Sequence, residues 1–411
     1  MKKATLWTRD YCLLICASAM GAIGGIVGSY ALGFLVYDET GSTLAAGLLV
    51  ALRVIPQFLI PVLIAPWMDR LPRKPFLVWG DLICGILYGL AGLYLQQYAF
   101  SYTGYLIFSL ILACIGSFDS LAFNSIFPKV IPKGFEEKGY TVSGMLYPVL
   151  NVVMMPLAAV LMESIGVANI LILQCFLSIL AAVTENFIKI KENLRLDGEK
   201  VGISLWWSDL KAGIRYLKGE RGLLSIYSYM AATNGAAMGY GSILVAFFRS
   251  APGFPSVMYS FFSVAEFIGR SIGGVICYRH EIPPKKRFGF AFFVYQFYEL
   301  MDVILLWLPY PLMLVNRGIC GFLGINSATM RHSAVQRYIP DEYRARLNAF
   351  EDMVICAAGS VLSLAVGALG ELVDYRIAMS ITALVTLVIC WLTIWKNRKA
   401  VRHIYEPENE K

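Results

Sequence analysis

Charge is what this sequence has least of: only 15% of its 411 residues are Asp, Glu, Lys or Arg, against roughly 25% in ordinary soluble domains. A soluble enzyme of that composition would precipitate. Histidine is scarcer still, with three residues, His280, His332 and His403. None stands in an HExxH or His–Cys pattern, so no metal site is expected. No G-x-x-x-x-G-K-[ST] phosphate loop occurs, and no loop is long enough for a nucleotide-binding domain, which argues against ATP-driven pumping by this chain alone. No nucleophile-and-base constellation can be named either, so neither an enzyme nor a cofactor is expected. The nine cysteines fall inside apolar runs instead of regularly spaced loops; they read as small buried hydrophobes, not as a disulfide framework.

What the sequence has is apolar length. Hydrophobic residues make up 58% of it, the mean hydropathy is +0.63, and runs of about 20 apolar residues recur from end to end, the length a helix needs to cross a bilayer. Strands of a β-barrel would alternate over about ten residues, and these runs do not. The fold class expected is an all-α membrane protein with twelve transmembrane helices, the first over 11–37 and the last over 376–396. The first run is too long and too rich in glycine for a cleaved signal peptide and is expected to remain as a helix. The net charge of +7 belongs to loops, not to a nucleic-acid surface. Nearly all Lys and Arg fall at the N-terminus, after helices 2, 4, 6, 8 and 10, and in the tail, which predicts a multi-pass protein of the cell inner (plasma) membrane with both termini cytoplasmic.

The longest polar stretch divides the chain into residues 1–187, a six-helix bundle; 188–221, a cytoplasmic linker; 222–396, a second six-helix bundle; and 397–411, a cytoplasmic tail. In the linker Ile203, Leu205, Trp206, Trp207, Leu210, Ile214 and Leu217 share one helical face. Lys211, Arg215 and Lys218 are placed to meet anionic headgroups, or simply water. The halves also resemble each other. A shift of 212 lays Asp69–Phe76 on Glu281–Phe288, matching an acid, a proline, paired cations and an aromatic, and a shift of 208 lays Ile131-Pro132 on Ile339-Pro340. Both shifts keep chain order and membrane side, so the halves are parallel repeats, an architecture that suits a transporter rocking about a midplane site.

The segment Ala65-Pro66-Trp67-Met68-Asp69-Arg70-Leu71-Pro72-Arg73-Lys74 resembles the loop 2–3 signature of the major facilitator superfamily, G-x-L-a-D-r-x-G-r-k. Asp69, Arg70, Arg73 and Lys74 match, while Ala65 and Pro72 stand where the signature has glycine. Tyr37–Ser42, Val130-Ile131-Pro132 and Asp209–Leu217 are similar to the branch containing macrolide and siderophore exporters. The resemblance implies that Asp69, Arg70, Arg73 and Lys74 form a conformational latch, with Arg73 and Lys74 holding nearby acids. It also implies that helices 1, 4, 7 and 10 line the substrate cavity, which makes Tyr30, Asn124, Asn234, Tyr240 and Asn326 candidate contacts. Arg317 with Gly318, Gly321 and Gly324 looks like the basic, glycine-spaced helix 4 of proton-coupled members, displaced to helix 10.

An ion at the bilayer centre costs roughly 2.5 to 3.5 kcal/mol even on lenient scales, so each buried charge needs a partner, water or a function. The intramembrane cations are Arg53, Arg270 and Arg317; the acids are Asp81, Asp119, Glu266, Glu299 and Asp302. Glu266 and Arg270, four apart, share a helix face. Asp302 and Arg317 lie at similar depth, and Asp119 is placed to reach Arg73. Glu299 is left without an evident partner, one turn from Asp302, in surroundings that favour a proton carrier. Glu299, Glu266, Asp302 and Asp119 are therefore the candidates for proton coupling, although helix 9 is usually peripheral in this superfamily. The expectation is a secondary active transporter, monomeric, driven by a proton gradient and without a cofactor, that exports a small amphiphilic organic compound. An uptake permease, a lysolipid flippase and a non-transporting receptor of the same fold are the alternatives.

Overall fold

The computed structural model of the chain describes residues 5–68, 71–190, 211, 215–251, 253–255, 257–279 and 282–406, and among these the regular structure is helical throughout. Helix α1 (Arg9–Thr40) starts on Thr8, whose hydroxyl accepts the Tyr11 N–H, a standard way to satisfy a free helix-end donor. It stops at Gly41, where φ of 63° takes the left-handed turn and the N–H returns to the Tyr37 carbonyl at 2.8 Å. Only Ser42 follows before α2 (Thr43–Met68), and its hydroxyl accepts the Ala45 N–H at 3.0 Å. Then come α3 (Lys74–Gln97) and α4 (Tyr102–Val130). The run Glu136–Asn186 breaks at Gly166, whose φ of 76° and ψ of 165° suit glycine; it is α5 before that residue and α6 after it. The second half holds α7 (Arg221–Ser250), α8 (Val257–Arg279), α9 (Arg287–Ile304), α10 (Tyr310–Tyr338), α11 (Asp341–Leu372) and α12 (Tyr375–Cys390). A π-helical turn, Trp391–Trp395, leads into α13 (Arg398–Tyr405).

Among the described residues nine runs are long and apolar enough to cross a membrane, and one of these, Lys138–Asn186, holds both α5 and α6. The two long helices below that level of hydropathy are α7 and α10. They carry several polar side chains of the second half, among them Tyr229, Thr233, Asn234, Asn316, Arg317 and Arg331. Together these make the twelve helices that the apolar runs predict. α10, however, extends to Tyr338 instead of ending at 330, which moves Arg331 from the expected loop onto the helix.

The chain forms two compact units, residues 1–41 with 55–200, and residues 42–54 with 201–411. The boundary at 41 and 54 is unlike one drawn between helices 6 and 7, because it cuts α2. The cause is local bonding. Thr43 Oγ1 donates to the Gly367 carbonyl at 2.7 Å, and the Leu44 N–H donates to Glu371 Oε1 at 3.1 Å, which ties the start of α2 to the end of α11. Unit 1 packs around Tyr11, Leu14, Leu77, Ile126, Phe127 and Ile188. Unit 2 has one apolar cluster about Leu223, Tyr229, Phe288, Tyr295 and Tyr405 and another about Tyr240, Phe248, Phe262, Leu305 and Met379.

Within unit 2, α8 and α10 approach until backbone meets backbone. A Cβ at Gly269 would lie 1.9 Å from the Gly318 carbonyl oxygen, and one at Gly321 2.2 Å from that of Glu266. Small residues permit such crossings in lipid, and in this protein they bring the charged stretches of α8 and α10 together. The end of the chain, expected as a tail, is part of the core: Val401, Ile404 and Tyr405 of α13 are buried. Of the linker, Ile203, Leu205, Trp206, Trp207, Leu210 and Ile214 lie outside the described residues. Residues 215–219 are helical, with Lys211, Arg215 and Lys218 exposed and Leu217 buried in the unit 2 core.

Candidate functional site

Among the described residues the most enclosed acid of unit 2 is Glu299, 1% exposed on α9. Tyr229 of α7 donates its hydroxyl to Oε1 at 3.0 Å, and Thr386 of α12 donates to Oε2 at 2.5 Å. The Thr233 hydroxyl, one turn from Tyr229, is a third partner. Two neighbouring helices thus offer three hydroxyls to one carboxyl, and among the described residues no cation joins them. Tyr229 also reaches the backbone carbonyl of Tyr295 at 3.4 Å. The Tyr295 side chain belongs to a separate group, in which its hydroxyl is 2.6 Å from that of Tyr405 and bonds Arg331. Beside these groups lies a cavity of about 170 Å³, lined by Tyr229, Thr233, Asn234, Arg270, Tyr298 and Arg331 among others. Glu299 stands directly behind its wall, reached through Tyr229 and Thr233.

Four other intramembrane charges of unit 2 are matched in two pairs. Arg317 Nη2 binds Asp302 Oδ1 where the two side chains are 11% and 4% exposed. Asn316 Oδ1 accepts from Arg317 Nε at 3.3 Å and from Nη2 at 3.0 Å, while Asn316 Nδ2 donates to the Met301 carbonyl at 2.9 Å. This buried set is closed on itself, which is what a desolvated ion pair requires. Arg270 Nη2 and Glu266 Oε1 are 2.7 Å apart one turn along α8, and more exposed. Arg53, half-buried on α2, belongs to the segment that clusters with unit 2.

Unit 1 places Asp119 differently from the expected pairing with Arg73. Its charged neighbour is another acid, Asp81 of α3, and Glu185 of α6 feels both. Asp119 Oδ1 and Glu185 Oε2 are buried without a hydrogen-bond partner. Asp119 packs beside Gly80 of α3, where a Cβ would lie in ordinary contact, 3.7 Å from Asp119 Oδ1. Lys74 Nζ donates to the Asn186 carbonyl at 2.7 Å, in keeping with the negative end of the α6 dipole. Asp69 and Arg70 lie outside the described residues.

The candidate cavity contacts separate. Asn234 is exposed, lines the 170 Å³ cavity and donates to the Met230 carbonyl at 2.8 Å. Asn124 is exposed on α4, whereas Tyr30 is buried with its ring 4.8 Å from Phe34. Tyr240 is buried where it feels Asp302, Glu299 and Arg317. Asn326 is buried and donates to the Phe322 carbonyl of its own helix at 2.7 Å.

Sequence reasoning missed Tyr229, Thr233, Thr386, Arg331, Tyr405 and Glu185. Tyr229 and Thr233 are four apart on α7, the spacing that puts two side chains on one face, and that spacing is a usable signal. Arg331 and Glu185 each lie at the edge of an apolar run, where a charge reads as part of a loop.

A sequence model described as the Major Facilitator Superfamily matches residues 12–301. No curated protein matches the sequence. Among solved structures, the nucleoside transporter NupG is similar over 94% of this chain and 99% of its own, with a TM-score of 0.68 at 14% identity. A POT family transporter in complex with 5-aminolevulinic acid is similar over 95% of this chain and 96% of its own, at 0.70 and 13%. A bacterial homolog of the human lysosomal transporter Spinster, inward-facing and unoccupied, is similar over 98% of each chain, at 0.67 and 15%. At these identities the likeness is one of fold. With the family match across most of its length and twelve long helices arranged in this fold, the chain is a multi-pass membrane protein that belongs to the Major Facilitator Superfamily.

Proposed function

We propose that this chain is a secondary transporter that exports an amphiphilic organic compound by alternating access, coupled to inward proton movement, from the cell inner membrane with both termini in the cytoplasm. The observation that carries the reading is the contrast among the acids of unit 2. Asp302 is neutralised by Arg317 and Glu266 by Arg270, whereas Glu299 is held by hydroxyls. A carboxyl held by hydroxyls can gain and lose a proton without breaking an ion pair, and Tyr229 and Thr233 link it to the cavity wall. The wall also suits an amphiphile: Tyr229, Tyr295 and Tyr298 offer aromatic surface, and Asn234, Arg270 and Arg331 offer polar ends. The sequence likeness to macrolide and siderophore exporters supports the direction of transport, and the latch role of Asp69, Arg70, Arg73 and Lys74 belongs to the same reading.

The test is substrate-induced proton movement in proteoliposomes under an imposed pH gradient, with a panel of amphiphilic cations, macrolides, catecholate siderophores and lysolipids. The expected result is that one class dissipates the gradient in proportion to protein and leaves empty vesicles unchanged. Movement of a compound with no accompanying proton flux would contradict the coupling. Silence across all four classes would contradict the substrate assignment.

A further inference from the structure

The crossing that brings α8 and α10 into contact also makes them part. At Gly273 a Cβ would still lie 2.5 Å from the Phe322 carbonyl oxygen, but at Gly274, one residue on and turned away, it would meet nothing within 4 Å. A cavity of about 470 Å³ opens there between α8 and α10, floored by the start of α9. Its lining combines Arg287 and Arg337 with the hydroxyls of Thr329 and Ser333 and the apolar Met330 and Ile282. Arg287 is oriented by its Nε, which donates to the Ile282 carbonyl at 3.3 Å. The mouth is basic, since Arg279, Lys285 and Lys286 are exposed beside it.

We propose that this cavity binds the phosphate of an anionic phospholipid, with Arg287 and Arg337 on its oxygens, Ser333 and Thr329 around them, and the start of the acyl chains against Met330 and Ile282. Two guanidinium groups and two hydroxyls are the donor set that phosphate takes. Basic pockets between transmembrane helices, on the side where Lys and Arg collect, face the leaflet that carries anionic lipid. A free phosphate would use the same donors but would gain nothing from Met330 and Ile282, and on that ground the lipid is preferred. The inference is independent of what the protein transports.

It is tested on the purified full chain by native mass spectrometry of retained phospholipid, and by thermal unfolding in phosphatidylcholine nanodiscs with and without phosphatidylglycerol. The wild type is expected to retain phosphatidylglycerol and to melt higher in its presence. Arg287→Gln/Arg337→Gln is expected to retain about tenfold less. Gly274→Leu, which projects a side chain into the cavity, leaves its charges in place and strengthens the helix, is expected to lose most of the retention; it decides the matter alone if the double variant does not fold. Equal retention in the wild type and in Gly274→Leu would overturn the proposal. So would an equal rise in melting temperature with inorganic phosphate in place of phosphatidylglycerol, since that would make the site one for soluble anions.

Discussion

Arg317→Met is expected to destabilise the protein by about 3 to 5 kcal/mol, because it strands Asp302 as an unpaired charge in the interior of unit 2. Asp302 is 3% exposed, so water cannot replace the lost guanidinium without opening the bundle. Asn316 loses the two hydrogen bonds that its Oδ1 accepts from Arg317, which adds to the loss. The pair need not be a source of net stability for this to hold. The cost of desolvating both ions roughly offsets their attraction, and for that reason Asp302→Leu/Arg317→Met is expected to recover most of what the single variant loses. Thermal unfolding in one detergent and at one scan rate, so that irreversible melts are comparable, checks both statements. A double variant as unstable as the single one would mean that the pair organises its surroundings and does more than neutralise itself.

The second large effect is expected at the chain's end. Tyr405 is 0% exposed, and its hydroxyl sits 2.6 Å from that of Tyr295. α13 is held down around it: Glu406 Oε1 accepts the Phe288 N–H at 3.2 Å, Asn397 Nδ2 donates to Ser225 Oγ at 2.9 Å, and a Cβ at Gly222 would lie 2.8 Å from the Ala400 carbonyl oxygen. Tyr405→Ala removes a large ring from a packed core and is expected to cost about 3 to 5 kcal/mol. Tyr405→Phe keeps the ring and leaves Tyr295 short of a partner, for about 1 to 2 kcal/mol. The same unfolding experiment, with the two variants side by side, separates packing from hydrogen bonding. If Tyr405→Ala melted like the wild type, α13 would be an ornament of unit 2 and not part of its core.

The helices are legible in the sequence because lipid leaves little choice: a run that cannot satisfy its backbone with water must coil, and long apolar runs say where. What hydropathy hides are the helix ends and the partners. α10 carries on past Arg331 because Ala334 and Val335 on that turn are buried in the unit 2 core, and a short apolar pair among polar residues looks in sequence like a loop. The same ambiguity hides Glu185 at the end of α6. It also makes α13 look like charge that sets topology, although Val401, Ile404 and Tyr405 mark a buried face. The i, i+4 pair Glu266–Arg270 is readable because one helix contains both ends. Asp302–Arg317 is readable from depth alone. The hydroxyl shell of Glu299 is not, since Tyr229, Thr233 and Thr386 come from two further helices whose rotation about their own axes no one-dimensional pattern records. The division of α2 between the units is hidden likewise, because Thr43 and Glu371 meet across more than 300 residues of chain.

The measurement that bears most directly on the central claim is a comparison of two modes of transport in one variant. Glu299→Gln keeps the volume of the side chain and an oxygen to accept from Tyr229 or Thr386, but it cannot carry a proton. With the compound identified by the proton-flux screen, radiolabelled counterflow at equal pH should persist in Glu299→Gln within about twofold of the wild type. Uptake into inverted vesicles driven by a pH gradient should fall by about a hundredfold, the scale at which a positioned acid or base contributes. If gradient-driven transport survived in Glu299→Gln at wild-type rates, Glu299 would be a structural acid and proton coupling through its carboxyl would be ruled out.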